Sequence, residues 1–171
     1  LPNRSMALLE LERLVSSASE HHSKVGVLYV DVDRFKEINE LHGHGTGDKV
    51  LVQLARRLQR ATRPTDTIAR TGVDGYQDST ISRLGGDEFT IILENIDKPE
   101  HASVAAQKII DAFAEQPVDL CGQDVYASTS IGIANFPEDG EDAETVLKHA
   151  DIALYRVKET GRNNFQRYKQ P

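Results

Sequence analysis

Apolar residues recur at helical spacing in five segments of the chain, and shorter apolar or alternating runs separate these segments. The helical pattern predicts helices at 5–19, 34–41, about 48–59, 99–115 and 143–160, the first with Ser5 as its N-cap. The apolar runs predict strands at 25–30, 80–84, 89–93, 118–120, 125–133 and 165–168. The order α-β-α-α-β-β-α-β-β-α-β predicts an α/β or α+β sandwich, in which helices cover one central mixed sheet.

Length and charge restrict the classes of protein to consider. The chain has 171 residues, of which 39% are hydrophobic and 27% charged, as in a single globular domain with its own core. Its net charge of −7 argues against a general nucleic-acid binder, which would present a basic surface. An anionic ligand would therefore need a metal ion or a few well-placed basic side chains.

Cysteine content and hydropathy bear on the compartment. A single cysteine, Cys121, excludes an internal disulfide and indicates a reducing environment. No apolar run approaches the roughly 18 residues that a membrane-spanning helix requires. Because no signal peptide is recognisable and the first residue is Leu1, we expect a cytoplasmic domain that forms part of a longer protein.

A pair of glycines, Gly85 and Gly86, separates two strand-like runs and predicts a tight hairpin, whose turn residues need positive φ. Two carboxylates, Asp87 and Glu88, follow immediately, before an apolar strand. Adjacent carboxylates beside a buried strand repel each other unless a cation lies between them. A solvated acidic turn is the alternative interpretation of the same pattern.

A second acidic pair, Asp31 and Asp33, lies where the apolar strand beginning at Val25 ends. The end of a buried central strand is a common position for a ligand site. Asp33 alone is better explained as the cap of the next helix. Asp31 has no capping role at that offset and is therefore a candidate ligand-binding residue.

The glycine-rich segment 42–48 does not match a phosphate-binding loop, because it lacks the G-x-x-x-x-G-K-[ST] spacing and has Asp48 where G-x-G-x-x-G would need glycine. Its histidines, His42 and His44, are better explained as packing groups than as metal ligands, since no third nitrogen or sulfur ligand lies nearby in the sequence. The polar segment 63–79 predicts an exposed loop.

Seven short motifs, in this order, resemble those of the GGDEF domain family, and together they extend over essentially the whole chain. They lie at 1–4, 31–39, 43–48, 83–89, 130–133, 150–155 and 158–163. GGDEF domains are diguanylate cyclases, which condense two GTP molecules into cyclic di-GMP and release two pyrophosphates. Their fold is similar to that of nucleotidyl cyclases and polymerase palm domains, a mainly antiparallel mixed sheet flanked by helices.

The resemblance implies roles for residues that match the family motifs. Mg²⁺, or alternatively Mn²⁺, would be bound by Asp31, the Val32 carbonyl and Asp87, which are hard oxygen ligands. Glu88 would support the metal site and the 3′-hydroxyl, and Lys36 would stabilise the transition state. The remaining matches concern GTP: Asn39, Asp48 and His44 at the guanosine, Lys158 and Arg162 at the terminal phosphates, and Arg34 and Phe35 at a helix N-terminus that faces phosphate.

One departure from the family pattern concerns the inhibitory product site. The family has Arg-x-x-Asp five residues before the signature glycines, whereas Arg63 and Asp66 here stand much farther from Gly85. Residues 69–82 are therefore interpreted as an insertion. The sequence allows two interpretations: the insertion either preserves or covers the pair of Arg63 and Asp66. We prefer the first, in which cyclic di-GMP still binds.

The resemblance also implies partners. Catalysis would need a transient homodimer, because each domain supplies one GTP site. The sequences at 91–96 and after Gly161 are similar to those of GGDEF domains that precede an EAL phosphodiesterase domain. We therefore expect attached EAL or sensory domains. In such tandem proteins the GGDEF half is sometimes a catalytically silent GTP-binding regulator, which is the alternative function.

Overall fold

The computed structural model describes residues 3–63, 76, 78–120 and 122–170. The helices are α1 (Arg4–His21), α2 (Phe35–His42), α3 (His44–Thr62), α4 (Glu100–Glu115) and α5 (Ala143–Glu159). The strands are β1 (Val25–Val32), β2 (Asp78–Gly85), β3 (Glu88–Glu94), β4 (Val118–Leu120), β5 (Gln123–Val125), β6 (Thr129–Phe136) and β7 (Phe165–Arg167).

Five strands form the central sheet in the order β2-β3-β1-β6-β7, and β4 and β5 form a separate hairpin. Neighbouring strands of the central sheet are antiparallel except β6 and β7, which are parallel. Strand β1 is therefore hydrogen-bonded on both edges, and all eight of its residues are buried. The predicted mixed, mainly antiparallel sheet flanked by helices is confirmed.

Helices cover both faces of this sheet, so β1 contributes alternate side chains to two cores. Leu28 and Val30 pack in the core beneath α2, α3 and α4. Val27 and Tyr29 pack in the core beneath α1 and α5. This period of two follows from the pleat of the strand, and burial on both faces explains why the sequence of β1 is almost continuously apolar.

Strand β6 lies unusually close to helix α5, and Gly132 permits that approach. A Cβ at position 132 would lie 2.1 Å from the carbonyl oxygen of Ala150 and 2.3 Å from the amide nitrogen of Leu154. Both contacts are with helix backbone, which cannot move aside as a side chain could. The absence of a side chain at Gly132 thus sets the distance between the sheet and the helix that carries Lys158.

The structure corrects the predicted boundaries at three places. The N-cap of α1 is Asn3, whose side chain accepts a hydrogen bond from the Met6 amide, and not Ser5. The predicted strand 125–133 is two strands: β5, which pairs with β4, and β6, which is hydrogen-bonded to β1. Residues 78–82, assigned to the end of the insertion, lie in β2, whereas 64–75 and 77 lie outside the described residues. The insertion itself stays a prediction.

None of the helices in the described part of the chain combines the length and the apolar character needed to cross a membrane.

We expect Gly132→Ala to lower the free energy of unfolding by about 1–3 kcal/mol, because an added methyl group would push α5 away from the sheet. Urea denaturation measures this change. Gly45→Ala is the matched control, since a Cβ at that position meets no atom within 4 Å. Equal stability of the two variants would contradict the assigned role of Gly132.

Candidate active site

Two carboxylates, those of Asp31 and Asp87, lie close together where β1 ends beside the β2–β3 hairpin. Asp31 is the seventh residue of β1 and is buried, with 6% of its surface exposed. The amide of Val32 donates to the carbonyl oxygen of Asp87 at 3.2 Å, which fixes the hairpin turn against the end of β1. Glu88 stands directly opposite Asp31 in the antiparallel pair, so both side chains point to the same face.

The acidic residues at this position perturb one another. Burial raises the pKa of Asp87 to about 6, and the neighbouring Asp31 carboxyl contributes to the same shift. Asp31 Oδ1 is buried and has no hydrogen-bond partner among the described residues. Its other oxygen, Oδ2, forms an ion pair with the ammonium group of Lys158, in the last turn of α5. The site thus already attracts one cation and has an unsatisfied oxygen for another.

Two adjacent carboxylates with one unpartnered oxygen have the chemistry to bind a divalent cation. Among the residues that the structure describes, no three His, Cys, Asp or Glu side chains cluster in a way that could hold a metal. A cation between Asp31 and Asp87 would therefore complete its coordination with main-chain, substrate or water oxygens. Main-chain carbonyls, such as the predicted one at Val32, suit the hard ions that carboxylates select.

Asp33 does not cap α2, and that prediction was wrong. Its carboxylate instead accepts hydrogen bonds from the hydroxyl groups of Ser128 and Ser130, both at 2.6 Å, and from the amide of Asn163 at 3.0 Å. These partners lie before and within β6 and just after α5. Asp33 therefore holds the basic segment around Lys158 against the end of β1. Sequence reasoning missed this role because the partners are about 95 to 130 residues away.

The hairpin turn differs by one residue from the predicted geometry. Gly85 pairs with Glu88, so the two turn residues are Gly86 and Asp87, and Asp87 is in the turn itself. Both glycines have positive φ, 152° and 53°, as the sequence predicted. The guanidinium group of Arg83 donates twice to the carbonyl oxygen of Gly86, at 3.0 and 2.8 Å. This clamp restrains the peptide that immediately precedes Asp87.

Helix α2 begins next to the acidic pair. Arg34, at its N-cap, has a φ of 55° and makes no side-chain hydrogen bond to the first-turn amides. Phe35 is buried in the core and anchors the helix, whereas Lys36 is exposed. The start of α2 can therefore present main-chain N–H donors and one ammonium group to an anion.

Of the predicted guanine-reading residues, Asn39 on α2 lies against α3 at Gly47, the residue before Asp48. Asn39 Oδ1 is buried without a hydrogen-bond partner among the described residues. A Cβ on Gly47 would lie 1.5 Å from that oxygen, so glycine at 47 makes room for the Asn39 amide. Asp48, the next residue, lines a cavity of about 510 Å³ with Leu51, Arg83 and other residues of α3 and β3.

Glu88 also contacts Tyr29, a residue that the sequence did not indicate. The hydroxyl group of Tyr29, on β1, donates to Glu88 Oε2 at 3.2 Å and accepts from Arg4 Nη2 at 3.3 Å. Tyr29 is buried, with 3% of its surface exposed. Burial, and then the negative charge of Glu88, raise the pKa of Tyr29 well above its usual range. The hydroxyl group therefore stays protonated and remains a hydrogen-bond donor.

Other predicted site residues lie at the border of the described region or beyond it. Arg162 is exposed just after α5, with a φ of 65°. His44 is the first residue of α3, and its side chain is outside the described part of the structure. Arg63 ends α3 and lines a cavity of about 410 Å³ with Asp78 and Ser79, whereas Asp66 is not among the described residues. The pairing of Arg63 with Asp66 therefore stays a prediction.

We expect the metal-free protein to lose stability as pH rises between about 4 and 6. The unfolded chain releases the Asp87 proton near its ordinary pKa of 3.8, whereas the folded chain holds it up to about 6. Above that window the folded state contains two repelling carboxylates. Asp87→Asn removes this penalty, so it should melt at a higher temperature than the wild type above pH 6 and not below pH 4.

Thermal unfolding with a chelator present, from pH 4 to 8, measures this difference. Asp97→Asn, a change at an exposed carboxylate, serves as the control. Wild-type and Asp87→Asn melting temperatures that differ by the same amount over the whole pH range would show that folding does not raise the pKa of Asp87.

Comparison with known proteins shows the family to which the sequence is similar. The family described as "Diguanylate cyclase, GGDEF domain" matches residues 1–77 and 76–164. Diguanylate cyclase TpbB of Pseudomonas aeruginosa is 38% identical over 165 residues, which are 96% of this chain and 35% of TpbB. The bifunctional diguanylate cyclase/cyclic di-GMP phosphodiesterase MucR of the same species is 35% identical over 96% of this chain and 22% of MucR. The chain thus spans about a fifth to a third of these relatives.

Solved structures show the same fold. The GGDEF domain of TpbB superimposes with a TM-score of 0.88 at 34% identity, over 100% of this chain and 98% of that one. The GGDEF domain of DgcB from Caulobacter crescentus, in complex with c-di-GMP, superimposes with a TM-score of 0.84 at 25% identity, over 99% and 90% of the two chains. The family match over nearly the whole sequence and these structural similarities establish that the chain belongs to the GGDEF domain family.

Proposed function

We propose that this domain is a diguanylate cyclase that converts two GTP molecules into cyclic di-GMP and two pyrophosphates. The 3′-hydroxyl of each GTP attacks the α-phosphorus of the other, its proton passes to a base, and the pyrophosphate carries away the bonding electrons. Such phosphoryl transfer depends on positioning and on neutralisation of charge more than on covalent help from the protein.

The observation that carries this proposal is the acidic pair at the end of β1. Burial and the neighbouring Asp31 carboxyl raise the pKa of Asp87 to about 6, and Asp31 Oδ1 lacks a partner among the described residues. Such an arrangement weakens the empty fold and becomes favourable when a cation binds. We propose Mg²⁺, or Mn²⁺ in its place, held by Asp31, the Val32 carbonyl and Asp87. When bound, the ion neutralises phosphate charge and favours deprotonation of the attacking hydroxyl group.

Basic groups around the acidic pair provide the phosphate contacts of the proposed site. Lys158 is held beside Asp31 and is available to exchange that contact for a terminal phosphate once a metal ion neutralises the carboxylate. Arg162 extends from the same segment, and Lys36 stands on the first turn of α2, whose uncapped amides face phosphate. Glu88, opposite Asp31, is positioned to accept a hydrogen bond from the attacking hydroxyl group or to bind the metal.

Guanine recognition is assigned to Asn39 and Asp48. The Asp48 carboxylate accepts from the N1–H and amino groups of guanine, whereas adenine has an acceptor at N1 and would be repelled. Asn39 supplies a side-chain amide whose oxygen is buried and has no hydrogen-bond partner among the described residues. Hydrogen bonds to a charged group contribute about 1.5–3 kcal/mol each, which suffices to discriminate between the two bases. His44 is assigned to the nucleoside by its motif position alone.

The proposed reaction implies two copies of the domain, because the described residues supply one acidic pair and one proposed guanine site. We therefore propose a transient homodimer in which the sites face each other, within a longer protein that includes an EAL or sensory domain. Cyclic di-GMP is the product and also a proposed inhibitor that binds near Arg63 and Asp66. The location proposed for the domain is the cytoplasm, where GTP is available.

A GTP-binding module without cyclase activity is the second candidate function. The chain is also 32% identical, over 96% of its length, to PdeR of Escherichia coli, which is named only as a cyclic di-GMP phosphodiesterase, and this favours an arrangement in which the domain regulates another. Such a module would keep the guanine site and the acidic pair and would lack only the productive dimer. Product formation from GTP therefore separates the two functions, whereas GTP binding alone does not.

Purified protein incubated with GTP and Mg²⁺ should form cyclic di-GMP, with a specific activity that rises with protein concentration. Asp87→Asn should lower turnover about 100-fold or more while the fold is retained, because a metal ligand contributes several kcal/mol to the transition state. Chromatography of the nucleotides measures the product, and Asp97→Asn is the control. GTP binding without product would favour the silent module instead.

Gly47→Ala should weaken GTP binding about five- to tenfold, since the new methyl group displaces the Asn39 amide and removes a hydrogen bond to guanine. The displaced atoms end a side chain that can rotate, so the melting temperature should change little. Gly45→Ala, in the same turn of α3 with open space around its Cβ, should bind GTP as the wild type does. Titration of a fluorescent GTP analogue measures both. Unchanged affinity in Gly47→Ala would remove Asn39 from the guanine site.

A further inference from the structure

Glu88 is held by a chain of hydrogen bonds that starts at the first residue of α1. Arg4 donates to the hydroxyl oxygen of Tyr29 at 3.3 Å, and that hydroxyl group donates to Glu88 Oε2 at 3.2 Å. The three side chains come from separate elements, α1, β1 and β3. The contacts therefore join the beginning of the domain to the acidic end of β1.

The register of the sheet explains why Tyr29 can reach Glu88. Tyr29 and Asp31 are two residues apart on β1 and point to the same face. Glu88 lies opposite Asp31, so the Tyr29 ring stands diagonally from Glu88 on that face. The ring is packed in the core beneath α1 and α5 and cannot turn away. The position of its hydroxyl group is consequently fixed by the core and not by the ligand.

An unrestrained Glu88 would have several orientations, because its side chain has three rotatable bonds and is only half-buried. Tyr29 removes part of this freedom before the substrate binds. A carboxylate that is already oriented does not have to be ordered in the transition state, so the effect of such a contact should appear in turnover.

We propose that Tyr29 is a positioning residue for Glu88, and that Arg4 in turn positions the Tyr29 hydroxyl group. This inference rests on the proposed cyclase function, to which it adds two residues outside the acidic pair and its basic neighbours. It also connects the first turn of α1 to the site through the side chains of Arg4 and Tyr29. A movement of α1 can then act on Glu88 without any change in the sheet.

The test compares steady-state kinetics of Tyr29→Phe, Arg4→Ala and Tyr126→Phe with the wild type. Tyr29→Phe keeps the buried ring and removes only the hydroxyl group. Its kcat should fall about tenfold while KM for GTP stays within twofold, since the contact orients a catalytic group and does not bind substrate. Arg4→Ala should lower kcat in the same direction by a smaller factor. Tyr126, which is 72% exposed, is the control and should behave as the wild type.

A second measurement does not depend on turnover. Tyr29→Phe should lower the urea midpoint of unfolding more in the wild-type background than in a Glu88→Ala background, because only the hydrogen bond from Arg4 remains to be lost there. Equal shifts in both backgrounds would show that the hydroxyl group acts elsewhere, and would overturn the inference even if kcat falls.

The two proposals fail in different ways. A wild-type protein that binds GTP and forms no cyclic di-GMP, alone or at high concentration, overturns the cyclase function and this inference with it. An active wild type whose Tyr29→Phe variant retains its kcat overturns the inference alone.

Discussion

The carboxylate of Asp33 is the interaction on which the arrangement of this site depends. Its Oδ1 accepts from the hydroxyl group of Ser130, and its Oδ2 accepts from the hydroxyl group of Ser128 and the amide of Asn163. A buried carboxylate is stable only when its oxygens are satisfied in this way, so these three donors and Asp33 require one another. The consequence is geometric: the strand that supplies Asp31 and the helix that supplies Lys158 meet at one point.

At this position, the arrangement that serves the proposed cation binding lowers the stability of the metal-free protein. Burial, and then the proximity of Asp31, disfavour the charged form of Asp87 and raise the pKa of that carboxyl. The Lys158 ion pair offsets part of the repulsion in the metal-free protein. Such a site destabilises the folded protein when it is empty and stabilises it when a cation and a phosphate bind. Perturbed pKa values therefore often mark functional positions.

The sequence predicted the features that are local in the chain. Helical spacing and the hairpin at the glycine pair are decided by neighbouring residues, and both were confirmed, with the turn one residue later than predicted. Predictions failed where residues distant in the sequence determine the local structure. The capping role given to Asp33 was wrong because its partners lie in β6 and after α5, and 125–133 proved to be two strands because pairing with β1 begins only at Thr129. The Tyr29 contact with Glu88 likewise depends on register across two strands.

The parallel pairing of β6 with β7 has a consequence for the order in which the site can form. A parallel pair requires a crossover, and α5, with Lys158 in its last turn, is that crossover. During synthesis from the N-terminus, β1 and the β2–β3 hairpin, which carry Asp31 and Asp87, emerge well before the segment that follows α5. The nascent chain therefore exposes Asp31 without its Lys158 partner until α5 has been made and Asn163 reaches Asp33. Completion of the site is thereby delayed until nearly all of the domain has been made.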